Sequence, residues 1–339
     1  MKYYSGLDVS LKTTFISVVD ESGKVVKEGE VETDVCSISS WLSKIGYVLE
    51  NIGIESGQLS ISLCKGLRAN GFNVTCVDAR HMASALSARI NKNDRNDGRG
   101  IAQMMRVNLY KEVLIKSDEM CELKILLGSR KQLVGMRKQV MGTIRGLLKI
   151  GGIKISISKK KGGFIIEARE KIKAMDETSN ISIEALLSTL ESIEKSLAEI
   201  NKKLVRISKA NEDSQLLISA PGIGPVTALS YLSTIDDVSR FEDSEMVGAY
   251  MGLTPRQYAS GEVDRHGGIS KMGPSACRSL LYEAAIVLLT SSKKKSKLKA
   301  WGLRLAKKKG IKKAAVAVAR KLAVIMHRML VERAEFRYS

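Results

Sequence analysis

Three short runs read as strands and open the chain: Tyr3 to Asp8, Thr14 to Val19 and Val25 to Val31. Asp20-Glu21-Ser22-Gly23-Lys24 between the second and third has hairpin composition. An antiparallel meander is therefore predicted. From Ser37 to Glu50 the spacing is that of an amphipathic helix, with Trp41, Leu42, Ile45, Val48 and Leu49 on one side. A short strand over Ile52 to Glu55, a helix from Leu59 to Asn70 stopped by Gly71, and a buried strand from Phe72 to Val77 come next. A helix from Asp94 through Met105 completes this segment.

Three meander strands followed by alternating helices and strands is the order of an α/β ribonuclease H-like, RuvC-like domain, in which the active site lies at the end of the first strand. Beyond Lys111 the pattern changes to long helices with few breakers. Met120 to Leu148 carries apolar residues at helical spacing, interleaved with Arg130, Lys131, Arg137, Lys138, Arg145 and Lys149. Gly151-Gly152 and Lys159 to Gly163 read as exposed breaks. Leu186, Leu190, Ile193, Leu197, Ile200, Leu204 and Ile207 then recur at alternating steps of four and three, a coiled-coil seam that closes either on the earlier helix or on a second subunit. Ala220 to Pro225, between two apolar runs, predicts a helix, a glycine hairpin and a helix. The expected organisation is a RuvC-like domain over 1–112, a helical coiled-coil segment over 113–212 and a mainly α C-terminal domain over 213–339.

Charge narrows the partners. A formal net charge of +19 on 339 residues points to a polyanion, and an aromatic content of 5% leaves few rings for base stacking, so phosphate contact is expected over base reading. The tail, from Lys293-Lys294-Lys295 through Lys307-Lys308-Lys309, Lys312-Lys313, Arg320-Lys321, Arg328 and Arg333, sets cations beside an apolar helical face. An apolar fraction of 44% excludes wholesale disorder. Five scattered cysteines without a CxxC pair argue against zinc and fit a reducing cytoplasm; His81, His266 and His327 are too dispersed for a histidine metal cluster and are expected at the surface or in packing. The N-terminus lacks the apolar core of an export signal, and no apolar run reaches the ~18 residues of a membrane helix, so a soluble cytoplasmic protein is expected.

Two stretches carry chemistry. Asp8 ends the first strand and Glu55 the fourth, while Asp94 and Asp97, three residues apart, share one face of a helix's first turn. Each acid alone is what a turn or cap would use. As a set they make the oxygen-rich site that holds Mg2+, and two such ions would clamp the attacking and leaving oxygens of a phosphodiester. The second stretch runs from Gly252 through Ser260-Gly261-Glu262 to Gly273 and Arg278. There Arg256, Lys271 and Arg278 are candidate phosphate contacts, as are the backbone N–H groups around Gly222 and Gly224, and a serine among such cations is placed to attack phosphorus. The alternatives are a plain turn at Ser260-Gly261, a merely DNA-facing basic surface, and a tight packing turn at the glycine hairpin.

With these residues together, the chain resembles the DEDD transposases of insertion-sequence family 110. Gly6-Leu7-Asp8-Val9-Ser10, Ile54-Glu55-Ser56-Gly57 and Lys92 to Gly98 look like the family's acidic motifs, with Gly98 where Ala is usual. Pro221 to Gly224 and Gly252 to Gly273 look like its C-terminal transposase domain, whose Ser-Gly serine assigns the nucleophile to Ser260. The resemblance implies four Mg2+-binding acids (Asp8, Glu55, Asp94, Asp97), a covalent phosphoserine intermediate, and a homo-oligomer, dimer or tetramer, in which one subunit's RuvC-like domain works with a neighbour's serine. It also implies a structured noncoding guide RNA that pairs with donor and target DNA, and a bacterial, nucleoid-associated location. The rivals are a Mg2+-dependent RuvC-like nuclease on branched DNA, with Ser260 dispensable, and a non-enzymatic nucleic-acid-binding scaffold.

Overall fold

A computed structural model describes residues 1–86, 93–155, 162–260 and 263–338. The chain divides into two compact units, Met1–Lys116 and Ser117–Ser339.

In the first unit β1 (Tyr3–Val9), β2 (Thr13–Asp20) and β3 (Val25–Glu32) form the expected meander. Helix α1 (Val35–Lys44) is shorter than its apolar pattern predicts. Gly46 takes φ +76° just past its end, a left-handed conformation that stops a helix, and the chain turns into β4 (Leu49–Glu55), seven residues long where four were expected. Helix α2 (Ser60–Ala69), strand β5 (Val74–Val77), α3 (Ala79–Leu86) and α4 (Asp94–Arg106) complete the unit. The sheet order is β3-β2-β1-β4-β5, antiparallel on the β3 side of β1 and parallel from β1 through β4 to β5.

Alternation along the strands separates two cores. Leu7, Ile16, Ile52 and Ile54 face Ile38 and Leu42 of α1 and Leu63 and Leu67 of α2. The other face receives α4, whose Ile101, Met104 and Met105 pack with Val77, Met82 and Tyr4. Burying each of those α4 side chains contributes about 1.5–3 kcal/mol. The helix comes unusually near the sheet because Gly6 and Gly53, paired in the β1–β4 register, present no side chain to it. A Cβ on Gly6 would stand 2.2 Å from Gly98 O and 2.3 Å from Ala102 N; one on Gly53 would stand 2.7 Å from Ile101 Cγ2.

The second unit is helical apart from one ribbon. Helices α5 (Asp118–Ile150) and α7 (Glu177–Ala210) pack together along their length, with Arg130 Nε donating to Asn201 Oδ1 at 2.7 Å. Helix α6 (Gly163–Ile172) joins their far ends, where Ile144, Leu148, Phe164, Ile172, Leu187 and Leu190 form a small core. The larger core gathers α8 (Glu212–Ile218), α9 (Pro225–Ile235), α10 (Met246–Tyr250), α11 (Ser275–Thr290), α12 (Lys297–Lys309) and α13 (Ile311–Glu332), and takes in Leu123 of α5 and Leu204 of α7. Its polar groups are satisfied locally: buried Tyr231 donates to Ala323 O at 2.7 Å, and buried His327 bridges Ser244 Oγ (2.8 Å) and Val238 O (3.1 Å). Among the described residues no helix is long and apolar enough to cross a membrane.

Candidate active site

The strand alternation that lets α4 approach also aims two of the acids. Gly6 and Asp8 lie two residues apart on β1, and so do Gly53 and Glu55 on β4, so both acids sit on the face that α4 covers, one pleat beyond the glycines. Because Gly6 pairs with Gly53 and Leu7 with Ile54 in parallel register, Asp8 and Glu55 occupy neighbouring strand ends. Each is partly buried, and each has an electrostatic or hydrogen-bond partner.

Asp94 and Asp97 occupy the first turn of α4, as expected. Asn93 caps that turn, its Oδ1 accepting from the Asn96 N–H at 2.8 Å, and two acids in a helix's first turn complement its dipole. Both lie on the strip that continues through Gly98 and Ile101 toward the sheet. Gly98 nests against β1 and against Phe15, the β2 partner of Asp8. The fold thus brings Asp8, Glu55 and the acid-bearing turn to one region of one sheet face. Among the described residues, though, no three Asp, Glu, His or Cys groups are gathered closely enough to hold a metal ion together. The donor set, four carboxylates and nothing softer, suits a hard divalent cation.

Ser260 is the last residue of β6 (Pro255–Ser260) and pairs with Val263, the first residue of β7 (Val263–Ile269), so its backbone stands at the tip of a two-stranded ribbon. Its side chain and residues Gly261 and Glu262 lie outside the described residues, as does Lys92 of the third acidic motif. At the ribbon's base, Gly252 (φ +67°) and Gly273 make close backbone contacts: a Cβ on Gly273 would stand 2.3 Å from Tyr250 O, and one on Gly252 2.8 Å from Met272 N. Arg278, expected among the phosphate contacts, directs NH1 inward to Met251 O (3.1 Å) and Gly273 O (3.2 Å) and thereby ties the two feet together. Arg256 and Lys271 are exposed.

The helix-hairpin-helix expectation divides between its two glycines. Gly222 has φ +87° and packs on α11, where a Cβ would stand 2.5 Å from Ala284 O; its conformation serves packing. Gly224 is open on its Cα side and caps α9, with Pro225 at the first helical position. Exposed Lys307, Lys308, Lys309, Lys312 and Lys313 cluster where α12 passes into α13.

Two features had no place in the sequence reading. One is the repeat of glycine, one residue, acid on β1 and β4, which is visible in the sequence and could have been recognised as two strands opening the same face to one helix. The other is Glu28 on β3, whose carboxylate meets Arg95 and Arg99 of α4 and is held below the usual carboxylate range chiefly by its hydrogen bond from Arg99.

Comparison with known sequences supplies the remaining information. The Transposase IS116/IS110/IS902 family matches residues 214–300, and the IS110-type DEDD transposases match residues 5–151. Together these matches span more than half of the chain. The transposase for insertion sequence element IS1111A of Coxiella burnetii is 28% identical over 343 residues, covering 98% of this chain and 90% of the relative. A probable family 20 transposase of Pseudomonas aeruginosa is 25% identical, covering 70% of this chain and 72% of the relative. The mini-circle putative transposase for IS117 of Streptomyces coelicolor is 30% identical over a shorter stretch, 31% of this chain and 26% of the relative.

Proposed function

The chain belongs to the IS110 family of DEDD transposases, enzymes that cut and rejoin DNA, and from that premise we propose that it is an RNA-guided recombinase with a serine nucleophile and a Mg2+-binding acid site. The observation that carries the reading is the placement of Asp8 and Glu55 on neighbouring strand ends beneath the helix whose first turn bears Asp94 and Asp97. In this reading those four carboxylates would hold the metal. A divalent ion held there polarises phosphodiester oxygens and offsets the charge that develops on them.

Ser260 is the nucleophile. Its Oγ forms a bond to phosphorus as one P–O bond of the DNA strand breaks, and the serine proton ends on the released DNA hydroxyl. Attack on the phosphoserine by a hydroxyl of the other DNA restores a phosphodiester and the free serine. Arg256, Lys271 and the N–H groups beside Gly224 hold backbone phosphates, while Arg278 and Gly222 keep the surrounding scaffold in place. Phosphate contacts carry no sequence information, and few aromatic residues are available for reading bases, which fits delegation of sequence choice to a structured noncoding RNA paired with donor and target DNA. A homo-oligomer, a dimer or tetramer with a central coiled coil between the acid-bearing and serine-bearing domains, completes the proposal.

The test is covalent trapping. Protein, transcripts of the noncoding DNA flanking its gene, Mg2+ and labelled donor and target DNA are combined and run on a denaturing gel, with Ser260→Ala and Asp97→Ala alongside. A protein–DNA adduct that requires RNA and Mg2+ and disappears in both variants is expected. Cleavage without an adduct, indifferent to Ser260→Ala, would replace the proposal with a metal-dependent nuclease.

A further inference from the structure

We propose that Glu28 is the positioning residue of the acid-bearing turn: through Arg95 and Arg99 it sets the rotation of α4 about its own axis and so the direction of Asp94 and Asp97. This inference rests on the acid site described under the proposed function.

Glu28 lies in the middle of β3, opposite Ser17 of β2, on the sheet face that α4 crosses. Its side chain is only 14% exposed. Arg99 meets it as a fork, Nε 2.5 Å from Oε1 and one terminal nitrogen 2.9 Å from Oε2. Arg95 adds Nε at 3.0 Å and a terminal nitrogen at 2.8 Å, both to Oε2. Ser17 Oγ donates to Oε1 at 3.3 Å. One carboxylate therefore grips two arginines four residues apart, which lie on one flank of the helix with the first-turn acids on the flank beside it.

The packing of Ile101, Met104 and Met105 holds the middle and C-terminal half of α4 in the core, and the first turn lies beyond it. The close approach of Gly98 to Gly6 fixes how deep the helix sits but resists rotation weakly, because a glycine offers no lever. Gln103 Nε2, 2.6 Å from Gly23 O, and Arg106, bonded to Gln103 at 2.9 Å, anchor the C-terminal half to the β2–β3 hairpin. Glu28 alone meets the N-terminal half with directional bonds on the side away from β4 among the contacts described. With side chains reaching about 5–6 Å from a helix axis, a rotation of about 20° moves a carboxylate by about 2 Å. A displacement half that size at a reacting centre costs about a hundredfold in rate. Ion pairs with exposed partners add little stability, and Arg95 is 61% exposed, so direction rather than stability is what this cluster supplies.

The experiment compares Glu28→Ala, Glu28→Gln and Asp97→Ala in the full-length protein by two readouts besides cleavage. Hydrogen exchange is followed at the amides of residues 96–98 without metal, and Mn2+ affinity is measured by calorimetry. Glu28→Ala is expected to speed exchange in that turn about tenfold and to weaken Mn2+ binding by about tenfold, as loss of an outer-shell partner does. DNA affinity and exchange in β1 and β2 stay unchanged, and Glu28→Gln, which keeps an acceptor for Arg99, falls between. Unchanged exchange in the turn, or equal acceleration across the whole sheet, would overturn the inference. If Asp97→Ala leaves Mn2+ binding intact the acid-site reading itself fails, and the exchange data still decide whether Glu28 holds the turn.

Discussion

The two places where chemistry is expected are built in opposite ways. Asp8 and Glu55 lie on a five-stranded sheet, and Asp94 and Asp97 on the helix that covers it, which meets backbone at Gly6 and the Ile101 and Met105 side chains at Gly53. Ser260 sits at the tip of a ribbon of two strands whose outward residues are exposed, Tyr258 at 66%, and whose order comes from its feet: Gly252, Gly273 and the inward-turned Arg278. The proposed metal-binding set needs its groups held in a fixed arrangement, and a helix layered on a sheet suits that need. The proposed nucleophile has to reach a phosphate in a long polymer, and the tip of a ribbon anchored at its base suits that task. Rigidity is applied to the whole of one site and only to the root of the other.

The largest test of that contrast is Gly6→Ala. The added methyl would meet Gly98 O and Ala102 N, backbone atoms that cannot yield alone, so the first unit should lose about 3 kcal/mol, measured by urea unfolding. Gly98→Ala should be nearly neutral, because its Cβ crowds the edge of the Phe15 ring at 3.0 Å and otherwise makes ordinary contacts at 3.6 Å, while alanine gains about 1 kcal/mol of helix propensity. Equal effects from the two would show that α4 does not rest on β1 as described. Next, Arg278→Met removes two bonds to backbone carbonyls at the ribbon's base. Stability should fall by about 1–2 kcal/mol while strand cleavage falls about a hundredfold. A rate that falls only as far as the folded fraction would remove the anchoring role.

The smallest effect concerns pH. Glu28 titrates below the usual carboxylate range in the folded chain, so its grip on α4 contributes above the unfolded pKa and is lost as pH falls through the depressed one; Arg99, raised by the same pair, stays charged throughout. Between about pH 5 and pH 3 the urea midpoint of the first unit should therefore drop more in the wild type than in Glu28→Gln. Parallel curves would show that the pair does not couple to folding.

Strands β1, β2 and β3 and the places of Asp8 and Glu55 near strand ends were legible because strand-forming composition and turn signals are local properties of the chain. So was the length of α4, whose cap at Asn93 and apolar strip are written in consecutive residues. What stayed hidden depends on distant partners. Glu28 in Lys27-Glu28-Gly29-Glu30 looks like any solvated meander charge until Arg99, 71 residues on, is placed against it. Gly6 looks like any strand glycine until the backbone of Gly98 and Ala102 is seen above it. Arg278 and Gly222 share the composition of phosphate contacts, and only their neighbours Met251, Gly273 and Ala284 give them to the scaffold. The helix over Ser37 to Glu50 failed for a local reason, since its apolar spacing outlasted the helix-ending Gly46.

The contact between Gly6 and Gly98 also sets a clock. A ribosome adding about 5–20 residues per second needs roughly 5–20 s to pass from the first glycine to the second. Through that interval Asp8, joined by Glu55 about halfway, belongs to a chain in which Asp94 and Asp97 are still to be made or have only just been made. A message cut short before α4 yields a chain without Asp94 and Asp97, which cannot assemble the proposed acid site whatever the rest of its first unit does.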